Sequence, residues 1–341
     1  MRYCCFLCAL LLPGIAAGRH PDSTRAMSEL ITPEAERAID RGLRWLARQQ
    51  HGDGSLGSGA YRGNVAITAL GGMAWMAGGN TPGRGPYGRE IERTVAYLLS
   101  RAQQSGFIIE RRAASHGPMY GHGFAAMFLA DCYGMSPRAE LRNQLAAAVK
   151  LIVASQNKEG GWRYQPQPAD ADISVTVCQI MALRAARNAG LFVPEETVDR
   201  CLDYLRRCQN PDGGFMYMAV AGGDSLFPRS AAGIVGLQSA GVYRGPEIEK
   251  GIEYLLGFTP RPGVARHEAY YYYGHYYAVQ AMWHVGGEPW SQWYPAVRDE
   301  LLGRQHEDGF WPTTYINREY ATAMALIVLQ VPNDALPIFQ R

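Results

Sequence analysis

The sequence has little net charge, few cysteines and, beyond its first residues, no long apolar run. Its 341 residues contain 33 lysines and arginines and 31 aspartates and glutamates, a formal net charge of +2. This balance does not favour a nucleic acid as partner, because phosphate backbones attract strongly basic surfaces. No internal segment has the roughly 20 consecutive apolar residues that span a bilayer. We therefore expect a globular chain whose contact with a membrane, if it makes one, is peripheral.

Residues 1–18 have the pattern of a secretory signal peptide. Arg2 precedes an apolar run from Tyr3 to Ile15, and the small residues Ala16, Ala17 and Gly18 follow it. An apolar run of about 13 residues is short for a membrane span and typical of a cleaved signal. We expect cleavage near the end of this segment and export to the periplasm or the cell exterior.

Four of the seven cysteines lie beyond this segment. They are Cys132, Cys178, Cys201 and Cys208. Cys201 and Cys208 fall on one predicted helix, about 10 Å apart, which is too far for a disulfide between them. No pair among these four has the Cys-x-x-Cys spacing of a zinc site. We expect buried thiols, no metal and no cofactor.

A sequence phrase that contains a glutamine and then a glycine followed by an aromatic residue recurs along the chain. The glutamines are Gln50, Gln104, Gln156, Gln209 and Gln305. The step is about 53 residues, with one degenerate copy before the last, so the chain has six repeats. The side-chain amide of each glutamine is expected to bind either the free carbonyls at the end of its helix or the backbone of the following turn.

Each repeat predicts two helices of different character. The first is amphipathic, and the second is rich in alanine, glycine and aromatic residues with almost no charge. The second helices are predicted at 65–77, 123–133, 173–189, 231–240, 276–285 and 320–330. A helix that is apolar on all sides is buried on all sides, so these six form an inner ring. The fold class is therefore all-α, an (α/α)6 toroid or double-walled helical barrel, which forms a single domain over residues 30–341.

Three of the repeats carry a glutamine, a glycine four residues later and an aromatic residue two after that. The strings are Gln156, Gly160 and Trp162; Gln209, Gly213 and Phe215; and Gln305, Gly309 and Trp311. They resemble the glutamine–tryptophan repeats of squalene cyclases and the related repeats of protein prenyltransferases, the prenyltransferase/squalene oxidase repeat family. The resemblance covers essentially the whole chain after the signal. It implies a toroid that binds an apolar ligand, isoprenoid or lipid-like, in a central cavity.

The inner helices share a register that aligns five polar residues. They are His122, Thr176, Ser230, His275 and Glu319. Equivalent positions of a closed ring of repeats lie at one height, which predicts a polar ring at one mouth of the toroid. Neighbouring residues are expected to line the same cavity: Tyr120, Asp170, Asp172, Arg229, Tyr271, Tyr273, Tyr276 and Tyr315. Helix capping is the alternative for Asp172, Thr176 and Ser230, and packing in the core is the alternative for several tyrosines.

The resemblance implies two chemistries that the residues match poorly. Squalene–hopene-type cyclases use the middle acid of an Asp-x-Asp-Asp-Thr motif as proton donor. One alignment puts Asp172 there with Asp170 before it, whereas the helix register puts Thr176 on the motif's threonine and leaves no acid at the critical place. The zinc positions of prenyltransferases correspond to Phe227, Arg229 and Gly274, which cannot form that site.

Three functions therefore stay open. The first is an apolar-ligand toroid with terpene cyclase-type activity, in which Asp172 donates the proton and Tyr273 and Tyr276 face cations. The second is a non-catalytic toroid that binds such a ligand or a protein partner. The third is a polysaccharide lyase or hydrolase. It would use His122, Tyr120, His275, Arg229 and Glu319.

The end of the chain, from residue 331 onward, is too apolar for a free tail. Pro332 cannot continue a helix, and Leu336, Ile338 and Phe339 follow within a few residues. We expect this segment to pack back on the toroid.

Overall fold

The structure is a computed structural model that describes residues 30–261, 270–313 and 315–340. The expected signal peptide, residues 1–18, lies outside these ranges. None of the helices within them combines the length and the apolarity that crossing a membrane requires.

Twelve helices make up the described part of the chain, and they alternate between an outer and an inner wall. The outer helices are α1 (Pro33–Gln49), α3 (Gly88–Ser100), α5 (Ala139–Ser155), α7 (Glu195–Cys208), α9 (Pro246–Leu256) and α11 (Gly287–Arg304). The inner helices are α2 (Val65–Ala77), α4 (Pro118–Met135), α6 (Ile173–Asn188), α8 (Phe227–Ser239), α10 (Tyr271–Val285) and α12 (Arg318–Gln330). Each inner helix packs against the next, and α12 returns to pack on α2. The predicted all-α (α/α)6 toroid is confirmed.

The two walls differ because their helices bury different amounts of surface. Thr32 caps α1 by accepting a hydrogen bond from the Ala35 amide at 3.3 Å, and two glutamates lie in its first turn, where the helix dipole favours them. This helix buries one face only. In α2, by contrast, every residue except Ala66 is buried. The inner helices therefore lie between the outer wall and the centre, as their uniform apolarity predicts.

The repeat glutamine joins one repeat to the next. The Nε2 atom of Gln156 donates to the Gly160 carbonyl at 2.8 Å and to the Thr197 carbonyl, on the following outer helix, at 2.9 Å. The same pair of contacts recurs at Gln50, Gln209 and Gln305. At Gln305 the second acceptor is Ala38 of α1, so this bond connects the last repeat to the first. The glutamine thus binds the following turn, and its other acceptor is the neighbouring repeat.

The alignment of Gln104 with the other glutamines is wrong. Ala102 forms a bridge with Ile108, just as Gln209 does with Phe215, so Ala102 occupies the glutamine position of the second repeat. Gln104 lies two residues further on and is exposed. Four repeats carry the joining glutamine, and the second holds its turn without it.

The C-terminal segment closes one end of the toroid. Two short 3-10 turns, Val331–Asn333 and Pro337–Phe339, contact the inner helices. Asn333 donates to the Ala77 carbonyl at the end of α2, and Arg184 near the end of α6 donates to the Gln340 carbonyl at 2.7 Å. Leu336, Ile338 and Phe339 are buried. The segment packs back on the toroid as expected, across the C-terminal ends of the inner helices.

Candidate functional site

A cavity of about 420 Å³ lies at the opposite end, where the inner helices begin. This volume is typical of small-molecule sites. Its wall includes eight tyrosines, so we call it the tyrosine cavity. They are Tyr61, Tyr120, Tyr164, Tyr217, Tyr270, Tyr273, Tyr315 and Tyr320. Deeper in, Leu70, Phe124 and Met324 add an apolar surface.

Stacked rings form one side of the cavity mouth. The imidazole of His116 stacks on Tyr315 with ring centroids 5.1 Å apart, and Tyr270 meets Tyr315 edge to face at 4.6 Å. The Tyr61 hydroxyl lies 3.2 Å from His116 Nε2. Such rings offer flat apolar faces to a ligand and place polar groups at their edges.

Hydroxyl groups converge at another part of the cavity wall. Ser174, in the first turn of α6, lines the cavity and is approached by the side chains of Tyr120 and Tyr273. Burial holds the pKa of both tyrosines well above its usual value, so both are neutral hydrogen-bond donors. Beside them, the Tyr164 and Tyr217 hydroxyls are hydrogen-bonded to each other at 2.5 Å. These groups can bind a polar substituent of an otherwise apolar molecule.

Asp172 lies behind this surface and not in it. Its Oδ1 atom caps α6 by accepting from the Val175 amide at 2.9 Å, and its Oδ2 atom lies 3.3 Å from Arg163 Nε. Burial raises its pKa to about 6, against the opposing effects of the Val175 amide and Arg163. The Tyr217 side chain, which lines the cavity, also approaches the carboxyl. Asp170 is half exposed and pairs with Arg163 at 2.7 Å.

The predicted polar ring does not line a mouth, and that prediction is wrong. Thr176 Oγ1 accepts a hydrogen bond from the Trp162 amide at 3.0 Å, and Ser230 Oγ accepts one from the Phe215 amide at 2.8 Å. His122 Nδ1 accepts from the Ile108 amide at 3.2 Å. All three are buried and bind the turn that follows the outer helix. An amide in that buried turn would otherwise have no partner.

The same bond identifies the correct register in two further repeats. Thr68 accepts from the Leu56 amide and Thr322 from the Trp311 amide, each at 3.0 Å. Thr322, not Glu319, is therefore the equivalent of Thr176 in the last repeat. Glu319 lies three residues earlier, buried, and accepts a hydrogen bond from the Ser58 hydroxyl at 3.0 Å. The register predicted for this helix is therefore wrong by three residues.

Three aromatic candidates lie in the packing around the cavity and not in its wall. His275 is buried among Phe227, Tyr271 and Trp293, with centroid distances of 5.1, 4.5 and 5.7 Å. Tyr271 lies under the guanidinium of Arg304, 4.1 Å from its ring centroid. Tyr276 is fully buried and packs edge to face on Phe124. Of the predicted residues, Tyr120, Arg229, Tyr273 and Tyr315 line the cavity.

The sequence interpretation missed five of the eight cavity tyrosines. They are Tyr61, Tyr164, Tyr217, Tyr270 and Tyr320. A signal was present for two of them, because Tyr164 and Tyr217 each follow the repeat aromatic residue, Trp162 or Phe215, by two positions. Both rings face the same cavity from successive repeats.

The described residues provide no metal centre. No group of three or more histidine, cysteine, aspartate or glutamate side chains within residues 30–261, 270–313 and 315–340 could hold a metal ion. Cys132, Cys178, Cys201 and Cys208 are free thiols and are buried. Burial raises the pKa of the Cys208 thiol to about 12, so it is neutral.

The buried imidazole of His122 should make stability depend on pH. Burial lowers its pKa to about 4, below the ordinary 6.5. Acid then favours the unfolded chain, in which this histidine takes up a proton first. Its contribution to the free energy of unfolding should be constant above pH 6.5 and fall by about 1.4 kcal/mol per pH unit between pH 6.5 and pH 4. In urea unfolding, the stability difference between wild type and His122→Asn should shrink over this range, and a constant difference would contradict it.

Solved structures of other proteins have the same architecture as this chain. The chain is similar to the type II terpene cyclase MstE from Scytonema, with 16% identity and a TM-score of 0.63 over 91% of this chain and 99% of that one. The shared fold is the α/α toroid. The toroid is also similar to a GH76 α-mannanase from Bacteroides thetaiotaomicron, with 9% identity and a TM-score of 0.65 over 90% and 97% of the two chains. No family model and no curated protein sequence matches the chain.

A third similar structure is an MstE variant with its substrate, geranylgeranyl dihydroxybenzoate, bound. It is 15% identical to this chain, with a TM-score of 0.60 over 92% of this chain and 99% of that one. At such identities the similarity establishes the fold alone. The chemistry of this toroid depends on the residues of its own cavity.

Proposed function

We propose that this toroid binds an apolar, isoprenoid- or lipid-like molecule in the tyrosine cavity without transforming it. The observation that carries the proposal is the composition of the wall. Eight tyrosine rings with Leu70, Phe124 and Met324 provide the surface, and among the described lining residues there is no aspartate or glutamate. Aromatic faces bury apolar area at a low cost in side-chain entropy. The expected signal peptide would carry this function outside the cytoplasm.

A prenyl-type ligand is favoured by the shape and chemistry of the cavity. The similar terpene cyclase MstE binds geranylgeranyl dihydroxybenzoate as substrate, which combines an apolar chain with a polar ring. In this toroid, the apolar depth around Met324 would take the chain, and the hydroxyls near Ser174 would bind a polar end.

Proton-initiated cyclisation is disfavoured by the register of α6. The hydrogen bond from the Trp162 amide to Thr176 matches those made by Thr68, Ser230 and Thr322, so these four residues share one register among the repeats. The resemblance to cyclases aligns Thr176 of that register with the threonine of the cyclase motif. Ser174 then stands at the place of the middle acid. A serine hydroxyl is too weak an acid to protonate an alkene.

Terpene cyclase-type activity is a second candidate, and one observation favours it. Asp172 is buried, has a pKa raised to about 6, and is approached by Tyr217 of the cavity wall. A ligand-induced shift of Tyr217 would expose this acid. A polysaccharide lyase or hydrolase is disfavoured, because His122, His275 and Glu319 have other packing partners outside the cavity wall.

Filling the cavity tests the binding proposal. Ala66 is partly exposed and lines the cavity at the second residue of α2, so Ala66→Trp should occupy ligand space without overpacking the core. We expect farnesol binding to weaken at least about tenfold by isothermal titration calorimetry, since the apolar area available to the ligand is lost. Ala139→Trp, on an exposed site at the start of α5, is the matched control and should bind as wild type does.

Two results would count against the proposal. Equal farnesol affinity of the two variants would remove the cavity as the binding site. A cyclised isomer in the extract after incubation with a polyprene, absent with Asp172→Asn, would favour the second candidate instead.

A further inference from the structure

Among the described residues that line the tyrosine cavity, Arg229 is the one arginine, and the lining includes no lysine, aspartate or glutamate. Arg229 lies in the first turn of α8 and is partly exposed. Its Nε atom donates to the Phe215 carbonyl at 2.9 Å, and its Nη2 atom donates to the Asp224 carbonyl. These two bonds to backbone hold the guanidinium in a fixed orientation, and Nη1 makes no hydrogen bond to any of the described residues.

Among the described residues, the guanidinium of Arg229 forms no close ion pair. Within residues 30–261, 270–313 and 315–340, no carboxylate lies within ion-pair distance of it. Asp224 accepts its hydrogen bond through the backbone carbonyl, and the exposed Asp224 carboxylate interacts with the charge only from a longer distance. Arg163, on the neighbouring repeat, shows the contrast, because Asp170 and Asp172 lie 2.7 and 3.3 Å from its guanidinium. Burial lowers the pKa of Arg229, which reflects a partly desolvated cation. A partly buried cation that lacks a close ion pair is stabilised when an anion binds it.

The surroundings of Arg229 suit an oxyanion. Arg229 lies in the first turn of α8, so the positive end of the helix dipole adds to the positive potential of the guanidinium. The Tyr217 side chain also interacts with Arg229. A guanidinium with free N–H groups matches the oxygens of carboxylates and phosphates. The apolar remainder of the cavity would exclude a small hydrophilic anion by itself.

We infer that Arg229 binds an oxyanion headgroup, a carboxylate or a phosphate, of the apolar molecule that the toroid holds. This inference rests on the proposed function and sharpens it. The ligand is an amphiphile whose anionic end lies at the start of α8 and whose apolar body lies along Phe124 and Met324.

Three matched probes test the inference: farnesol, farnesoic acid and farnesyl monophosphate, which share a chain and differ in charge. By calorimetry at pH 8 and low salt, we expect at least one anion to bind wild type about tenfold more tightly than the alcohol. Arg229→Gln should abolish that preference and leave farnesol affinity within about twofold. Arg187→Gln, on an exposed site at the end of α6, should keep the preference. The stronger anion identifies the headgroup.

The outcomes distinguish anion binding by Arg229 from apolar-ligand binding in the cavity. Equal affinity of wild type for all three probes, or a preference that survives Arg229→Gln, would overturn the role of Arg229 while leaving apolar binding intact. Absence of binding by every probe would overturn both. If Arg229→Gln does not fold, raising the salt concentration decides on wild type, because the anion preference should fall with salt while farnesol affinity does not.

Discussion

Replacing Gly160 by alanine should lower the free energy of unfolding by about 4 kcal/mol or more. Gly160 follows α5 in the turn of the third repeat and has a φ of +98°, a conformation that a side chain strains. An added Cβ would also overlap the backbone carbonyl of Arg200 in α7. Because the carbonyl of Arg200 belongs to the backbone of a neighbouring helix, the overlap cannot be relieved by a change of rotamer.

Gly190 supplies the matched control. Its φ is +82°, but an added Cβ would meet no atom within 4 Å. Gly190→Ala should therefore cost only the backbone strain, about 1 to 2 kcal/mol. Urea unfolding of the two variants measures the difference between their losses of unfolding free energy. This difference is the cost of disturbing the close contact between repeats. Equal losses would mean that the turn and the neighbouring helix can separate freely.

The contact at Gly160 is a repeated feature of the toroid. Equivalent glycines, each with a positive φ and each against the next outer helix, are Gly54, Gly106, Gly213 and Gly309. Together with the glutamine bonds, they allow one turn to touch the backbone of the following repeat. This geometry explains why the repeat phrase requires a glycine and not merely a small residue.

Truncating Phe339 to alanine should cost about 3 to 5 kcal/mol. The ring is buried in the C-terminal segment that covers the ends of the inner helices, and its loss leaves a cavity there. Thermal or urea unfolding measures the change in the free energy of unfolding.

Gln340 provides a neighbouring control on the same segment. Its contact with Arg184 is made by its backbone carbonyl, and its side chain is exposed, so Gln340→Ala should change stability by less than about 0.5 kcal/mol. If Phe339→Ala were equally neutral, the segment would not be part of the folded unit in solution.

Prediction from sequence succeeded where the information was local and repeated. The contrast between an amphipathic and a uniformly apolar helix, and its recurrence about every 53 residues, predicted the two walls and their closure. The structure adds a local contact that was not predicted: the indoles of Trp162 and Trp311 donate to the Ile152 and Leu301 carbonyls of their own outer helices.

Prediction failed where it required the orientation of an inner helix about its own axis, which decides the residues that face the cavity. Thr176 and Ser174 lie two positions apart on α6, yet one binds a buried turn and the other lines the cavity. An inner helix is apolar on nearly every side, so its periodicity does not distinguish the lumen from the outer wall. His122 and Ser230 were placed in the lumen for the same reason.

By itself, the sequence determined the six-repeat toroid, because helix type and turn chemistry are encoded within each repeat. The tertiary structure alone decided which polar groups face the cavity. That choice depends on hydrogen bonds between an inner helix and the turn before it, and on which tyrosines of six different repeats meet at one point. Arg229 shows the difference most clearly, since its place in the cavity wall, and the lack of a close ion pair among the described residues, follow only from the tertiary structure.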